Sequence, residues 1–321
     1  MNETKNTLIR REHWGSICYS KQNDEFWAYK DNENTHTLLR KPLSVGWLIT
    51  SKCDFKCIHC YGNCEDISGS ELSTVECLRL LDIFKNNQIM RIAISGGEPL
   101  LRNDLFLILQ QSFAYNFGIV LSTNGILVKD DHFDVLKKCT RVEISLDASN
   151  SKTHTQIRIA TKSPEDSWNE LIEIIKNCRI AGIKIRILTT INALNQYELV
   201  ELFNIINAFN IDEWGISWVL PIGRAKSVYN KIKPSTEVVN KQMDFILKEN
   251  SKLTIRYSCR GDDFSKYYFL VFPNGQIGTE DLISGEKKLF GSVFNNEISK
   301  IWNNDNFNIS QHYSKWIRKS F

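Results

Sequence analysis

The sequence predicts an alternating α/β fold built on parallel strands, and three observations carry that expectation. From Pro42 onward, short β-branched or apolar runs recur. The stretches between them carry helical patterning. Those stretches are also long enough to serve as the crossovers that parallel strands require. The strand runs are 43–50, 91–95, 118–122, 141–146, 183–191 and 214–220. Helix starts punctuate the intervals: Ser73 followed by Glu76 has the spacing of a capping box, and Ser163 followed by Pro164 puts proline where a first helical residue tolerates it. Six such units in series fit an open doubly wound sheet or an incomplete version of the eight-stranded α/β barrel, and periodicity does not separate the two.

Two further regions flank this array. Residues 12–39 are rich in Trp, Tyr, Asn and Asp, and apolar runs at 14–19 and 26–29 flank the polar 21–25, the pattern of a small β-hairpin. After Pro234 the pattern gives one helix to about Asn250, strand-like runs at 253–257 and 267–272, a turn at Pro273-Asn274-Gly275 and a short helix at 298–302. The expected organisation is therefore a hairpin segment over 1–42, a main domain over 43–230 and a smaller α+β extension over 231–321.

Composition excludes several classes. With 321 residues and 42% hydrophobic content the chain can bury a sizeable core. Forty Lys and Arg against 37 Asp and Glu give a formal charge of +3, which makes no electrostatic case for nucleic acid or an anionic membrane. Apolar runs such as 105–109 and 268–272 fall far short of the ~20 residues of a membrane span. The acidic N-terminus also lacks a signal-peptide pattern, so a cytoplasmic protein is expected. Nine cysteines, an odd number in a large chain, argue for thiols and thiolate ligands rather than a disulfide scaffold. Cys53, Cys57, Cys60 and Cys64 cluster, whereas Cys18, Cys77, Cys139, Cys178 and Cys259 are scattered, with Cys77, Cys139 and Cys178 expected in helices as core.

The first strand runs into Ser51-Lys52-Cys53-Asp54-Phe55-Lys56-Cys57-Ile58-His59-Cys60-Tyr61. Three thiolates at these spacings can wrap one iron–sulfur cubane, each bonding a different iron and leaving one iron open to a small molecule. The same segment also fits a structural zinc site completed by His59 or Cys64, which would make the chain a non-catalytic zinc-binding module.

The Cys53-x-x-x-Cys57-x-x-Cys60 spacing after a first strand resembles the radical S-adenosylmethionine (SAM) superfamily. With that resemblance the expected fold becomes a partial (β/α)6 barrel with a short N-terminal β-hairpin and a small C-terminal α+β extension. Family members place an aromatic just before the third cysteine; here that position is His59, and Tyr61 follows. Ser95-Gly96-Gly97-Glu98-Pro99 after the second strand resembles the family segment that binds the amino group of the cofactor, with Gly96 and Gly97 permitting close approach and Glu98 facing an ammonium. By the same resemblance Ser122, Asn124, Ser145 and Asp147 are candidates for ribose and carboxylate contacts, Arg158 for the methionine carboxylate, and Leu220, in Val219-Leu220-Pro221-Ile222-Gly223-Arg224, for the adenine. A zinc module gives no account of Gly96 to Pro99 or of these later strand ends. The implied cofactors are one 4Fe-4S cluster and SAM, cleaved to a 5'-deoxyadenosyl radical, with a low-potential electron donor such as flavodoxin or ferredoxin.

Cys259-Arg260-Gly261, then Phe272-Pro273-Asn274-Gly275 and Phe290-Gly291-Ser292-Val293, resemble the SPASM or twitch extensions of peptide-maturing radical enzymes. A cysteine is expected shortly after the Gly275 turn, but the chain reads Ile277-Gly278-Thr279-Glu280, and no cysteine follows Cys259. The extension is therefore expected to be degenerate and to hold no auxiliary cluster. Cys64 and Cys259 are candidate hydrogen-atom donors, set against the commoner role of a lone cysteine as a small buried hydrophobe. The favoured substrate is a ribosomally made precursor peptide, modified by an oxidoreductase or epimerase reaction, with the hairpin's exposed edge pairing an extended leader strand or a separate leader-binding protein supplying that function. A tetrapyrrole or a sugar precursor is the alternative substrate.

Overall fold

Along the central strands every second residue is apolar and fully buried, and this alternation decides the architecture. The computed structural model describes residues 6–32, 38–62, 69–161, 167–249, 251–258, 268–281 and 284–320. The chain opens with β1 (Thr7–Glu12), β2 (Gly15–Ser20) and β3 (Glu25–Lys30), which pair antiparallel in sequence. There follow β4 (Ser44–Thr50), α1 (Thr74–Asn86), β5 (Arg91–Gly96), α2 (Leu105–Ala114), β6 (Gly118–Thr123), α3 (Phe133–Leu136) and β7 (Arg141–Ser145). Next come α4 (Ser151–Ile157), α5 (Ser167–Ile180), β8 (Ile185–Ile191), α6 (Leu199–Ala208), β9 (Glu213–Trp218), α7 (Ala225–Ile232) and α8 (Thr236–Ile246). The remainder is β10 (Thr254–Ser258), β11 (Phe269–Val271), β12 (Gln276–Glu280), β13 (Lys287–Ser292), α9 (Ile298–Ile301), α10 (Ile309–Trp316) and β14 (Ile317–Ser320).

The six strands read from the sequence are β4 to β9, each within two residues at either end, and neighbours pair in parallel. The array then runs on. β10 pairs parallel with β9, β11 pairs parallel with β4, and the sheet has the order β10-β9-β8-β7-β6-β5-β4-β11-β12-β13. Ile92, Ile94, Ile119, Leu121, Ile144, Ile185 and Ile187 are fully buried. They share one core with Leu80 and Phe84 of α1, Ile108 of α2, Leu171 and Ile175 of α5, and Leu202 and Ile206 of α6. The alternate positions, among them Ala93, Ser95, Ser122, Glu143, Ser145, Arg186 and Thr190, are half-buried and line the inner face. The Ser73 to Glu76 capping box opens α1 as expected. Ser163 and Pro164 lie outside the described residues. Cys77 and Cys178 are buried in α1 and α5, but Cys139 sits in the bend after α3 rather than in a helix, still buried.

The N-terminal sheet departs from expectation in one respect that matters for binding. The hairpin exists, but it has no free edge: β1 covers β2, and β14 pairs parallel with β3, so the sheet order is β1-β2-β3-β14. The outer sides of β1 and β14 are left without a strand partner among the described residues.

The hairpin tip closes the N-terminal end of the parallel array. Asp24, at φ 53°, accepts from Arg91 Nε at 2.7 Å, from Arg141 Nη2 at 2.7 Å and from the Tyr19 hydroxyl at 2.8 Å. Arg141 continues to Glu213 at 3.0 Å, and Arg186 bridges Glu213 at 2.6 Å and Glu143 at 2.8 Å. Arg91, Arg141 and Glu213 are the first residues of β5, β7 and β9, so these charges form a floor beneath the inner face.

Candidate functional site

The opposite, C-terminal end of the strands is where α/β barrels build their sites, and here it is organised around the loop that follows β4. Backbone bonds fasten that loop to three neighbours. Gly97 N–H donates to Thr50 O and Glu98 N–H to Lys52 O, each at 2.8 Å. Lys56 N–H donates to Ile159 O at 2.7 Å and Ile58 N–H to Ile157 O at 3.0 Å, and Phe55 bridges Ala160 antiparallel. Arg224 N–H donates to Cys60 O at 2.9 Å. Two glycines make these approaches possible: a Cβ on Gly97 would stand 2.0 Å from Lys52 O, and one on Gly223, at φ 55°, would stand 2.3 Å from Cys60 O. Glu71 adds a side-chain clamp, its Oε1 accepting from the Ser51 N–H and hydroxyl, each at 2.7 Å.

The loop presents Cys53 exposed, Cys57 buried and Cys60 between them, all as free thiols. Burial pushes the Cys57 thiol up to about 11. Metal loading therefore has to expel protons and is favoured by higher pH. Among the described residues no three His, Cys, Asp or Glu side chains converge as ligands of a single ion. A cubane does not ask for such convergence, since each thiolate bonds a different iron, and three soft donors on one loop suit it. Cys64 and Cys259, the candidate hydrogen donors, lie outside the described residues.

Glu98 joins the second strand end to the third. Fully buried, it accepts at Oε1 from Leu100 N–H (3.0 Å) and the Thr123 hydroxyl (2.8 Å), and at Oε2 from Asn124 N–H (2.7 Å). Burial still raises its carboxyl to about 7 against those donors, so an ammonium placed beside it would favour the ionised form. Asn124 is turned to the cysteine loop, donating from Nδ2 to Asp54 Oδ1 at 2.7 Å. Ser122 donates to Glu143 Oε2 at 2.8 Å on the inner face, and Ser145 ends β7 half-buried on the same face. Pro99 starts a short 3-10 turn capped by Glu98. Leu220 lies between β9 and α7, its carbonyl accepting from Ile222 N–H at 2.8 Å.

Asp147 is a hub. Its carboxylate takes Arg158 Nε at 2.6 Å and Thr190 N–H at 2.6 Å, with His59 Nε2 at 3.4 Å, and no part of the residue is exposed. Arg158 Nη1 in turn lies 3.7 Å from Cys57 Sγ. Burial holds His59 and His154 down at about 4, so both rings are neutral near pH 7. The Nδ1 of His59 and both ring nitrogens of His154 are buried without a partner. Thus the structure brings together Cys53, Cys57, Cys60, Gly96 to Glu98, Asn124, Asp147 and Arg158, with Ser122 set further down the inner face. Asp54, Thr123, Gly223 and Arg224 were not singled out as site residues. All four sit inside or beside segments the sequence did flag, but the long-range partners of Asp54 and Thr123, Asn124 Nδ2 and Glu98 Oε1, leave no local signal.

Residues 47–206 match the family model described as the radical SAM superfamily. The chain is 25% identical over 249 residues to mycofactocin maturase MftC of Mycolicibacterium smegmatis, covering 75% of this chain and 59% of that protein. It is 30% identical over 217 residues to Fe-coproporphyrin III synthase of Methanosarcina barkeri, covering 67% of this chain and 53% of that protein. The chain thus spans between half and two thirds of the length of these relatives. The structure of Streptococcus suis SuiB bound to precursor peptide SuiA superposes with a TM-score of 0.71 at 18% identity, covering 93% of this chain and 87% of SuiB, a likeness of fold. With the cysteine loop, the Gly-Gly-Glu turn and the matched span all falling on the same strands, the chain belongs to the radical SAM superfamily.

Proposed function

We propose that this protein cleaves SAM reductively at one 4Fe-4S cluster held by Cys53, Cys57 and Cys60, and so initiates hydrogen abstraction from a ribosomally synthesised precursor peptide. The observation that carries the reading is the cysteine loop itself, fastened by Gly97, Glu98 and Arg224 so that three thiols sit beside a buried carboxylate at the mouth of the strands. When bound, the cluster and SAM together supply the 5'-deoxyadenosyl radical. The chain's own residues bind and orient. Gly96 and Gly97 let backbone approach the cofactor's methionine end, Glu98 offers its remaining acceptor capacity to the ammonium, and Ser122, Asn124, Ser145 and Leu220 face the rest of the molecule.

The peptide substrate is supported by the maturase relative, by a fold shared with a structure solved with a precursor peptide, and by the outer edge of β1, which pairs with no strand among the described residues and suits an extended leader strand. Identity to Fe-coproporphyrin III synthase favours a tetrapyrrole as the second reading. After the Gly275 turn the chain reads Ile277-Gly278-Thr279-Glu280 where a SPASM or twitch extension is expected to carry a cysteine, which supports an extension without an auxiliary cluster. A flavodoxin or ferredoxin in the cytoplasm fits as electron donor.

The test is anaerobic reconstitution with iron and sulfide, reduction in the presence of SAM, and assay for 5'-deoxyadenosine with Cys57→Ala as control. The expected result is about four irons per chain and deoxyadenosine only with the intact triad. Stoichiometric zinc without cleavage would overturn the reading, and about eight irons would restore an auxiliary cluster. Turnover of genome-neighbouring small peptides against propionate-bearing tetrapyrroles separates the two substrate classes.

A further inference from the structure

The Asp147–Arg158 pair reaches past itself to the cysteine loop. Arg158 Nη1 lies 3.7 Å from Cys57 Sγ, within N–H···S range, and each of the two residues is 8% exposed. The guanidinium is not free to swing. Asp147 holds its Nε at 2.6 Å, and Asp147 is itself fixed by Thr190 N–H at 2.6 Å and, through its backbone oxygen, by Asn195 Nδ2 at 2.7 Å. The planar fork of arginine lets one arm bind the carboxylate while another is presented to sulfur, a division that a lysine point charge does not offer.

We propose that Arg158 is a positioning residue for the cluster, donating a charge-assisted bond to the Cys57 thiolate and thereby setting how readily the cluster accepts its electron. The inference rests on the reading of Cys53, Cys57 and Cys60 as cluster ligands. Reduction adds a negative charge, and hydrogen bonds to the sulfurs and the charge around them are what move iron–sulfur potentials. A fixed cation with its N–H on a ligand thiolate stabilises the reduced form, so the potential lies higher with Arg158 than without it. This role operates in the absence of SAM, which distinguishes it from a contact between Arg158 and the methionine carboxylate.

Two measurements on the reconstituted holoenzyme, both without SAM, test the proposal. In the first, the enzyme carries [15N]arginine, the cluster is reduced, and pulsed EPR is used to look for a 15N hyperfine coupling, which is expected in wild type and lost in Arg158→Lys. In the second, an EPR-monitored redox titration compares wild type with Arg158→Gln and Asp147→Asn. Arg158→Gln is expected to lower the ratio of reduced to oxidised cluster about tenfold at a fixed poise, about 59 mV for a one-electron couple. Asp147→Asn keeps the guanidinium and removes the neighbouring negative charge, so its midpoint is expected to move the opposite way, upward. A wild-type cluster with no arginine coupling, or an unchanged midpoint in Arg158→Gln, overturns the proposal. If the Arg158 variants fail to hold a cluster, Arg224→Lys decides: Arg224 is the other arginine at this loop, its Nη1 3.4 Å from Cys57 O, and a coupling that persists without it supports Arg158, whereas one lost with it overturns the proposal. Absence of any iron–sulfur signal in wild type would instead overturn the cluster reading, and this inference with it.

Discussion

The two ends of the parallel array are built on opposite principles. At the floor, Asp24, Arg91, Arg141, Glu143, Arg186 and Glu213 close a ring of ion pairs in which every carboxylate is taken up by protein. At the mouth, burial pushes the Cys57 thiol up to about 11 and the Glu98 carboxyl to about 7, and His59 and His154 keep ring nitrogens without partners. What holds the mouth together is mostly backbone: the cysteine loop is tied by N–H···O bonds, supplemented by the side-chain contacts of Ser51 with Glu71, Asp54 with Asn124 and Cys57 with Arg158. The floor spends its polar groups on stability, and the mouth leaves them available for a ligand.

Breaking the floor is expected to give the largest effect on stability and the smallest on chemistry. Asp24→Asn removes one partner of a buried pair and leaves Arg91 and Arg141 facing each other, a loss of about 3–5 kcal/mol, read by urea unfolding. Deoxyadenosine formed per folded molecule should not change. The pH dependence has a definite sign. Burial would raise the Asp24 carboxyl, but Arg91 and Arg141 outweigh it and hold it at about 2. The stabilisation is therefore complete above the unfolded value of about 4 and is lost as pH falls from there through 2. Wild type should lose more stability over that window than Asp24→Asn, which keeps the other depressed carboxylates such as Asp104 and Asp147; parallel curves would show that the ring does not depend on Asp24.

Breaking the mouth should invert the pattern. Gly97→Ala puts a Cβ 2.0 Å from Lys52 O, where both neighbours are backbone and cannot rotate away. The cysteine loop and the Glu98 turn must separate by roughly 1 Å, a displacement that costs about 100-fold in rate when it falls on reacting groups. Deoxyadenosine formation is the readout, with iron content measured alongside. An active Gly97→Ala enzyme would mean that the clamp between Thr50 and Gly97 is not what aligns the site.

The same contrast explains what could be read from the sequence. The mouth was legible because its signals are local: the spacing of Cys53, Cys57 and Cys60, and the run Gly96-Gly97-Glu98-Pro99. The floor was not. Arg91, Arg141 and Arg186 read along the chain as ordinary polar positions of half-buried strands, and they acquire meaning only when the strands curve so that Asp24 meets Arg91 across 67 residues and Arg141 across 117. β14 was missed for a related reason, because a four-residue strand is specified by its partner β3 rather than by its own composition. Asp147 and Arg158 were found as strand-end residues, but their engagement with each other and with Cys57 is tertiary and had no trace in spacing.

The smallest expected effect tests whether a local signal near the mouth behaves as local. Ser73 caps α1, its hydroxyl accepting from Glu76 N–H while Glu76 Oε2 accepts from Ser73 N–H at 2.8 Å. The pair is exposed and belongs to neither the floor ring nor the loop clamps. Ser73→Ala removes both bonds of the hydroxyl, the one accepted from Glu76 N–H and the one donated to Glu76 Oε2, and leaves the Ser73 N–H bond to Glu76 in place, so it should cost about 1 kcal/mol by urea unfolding. That is well below the cost of Asp24→Asn, and deoxyadenosine formation and iron content should stay at wild-type levels. Because α1 begins just beyond the segment that leaves the cysteine loop, a loss of iron in Ser73→Ala would show that the cap helps to hold the loop, and that the mouth depends on more than the three backbone clamps.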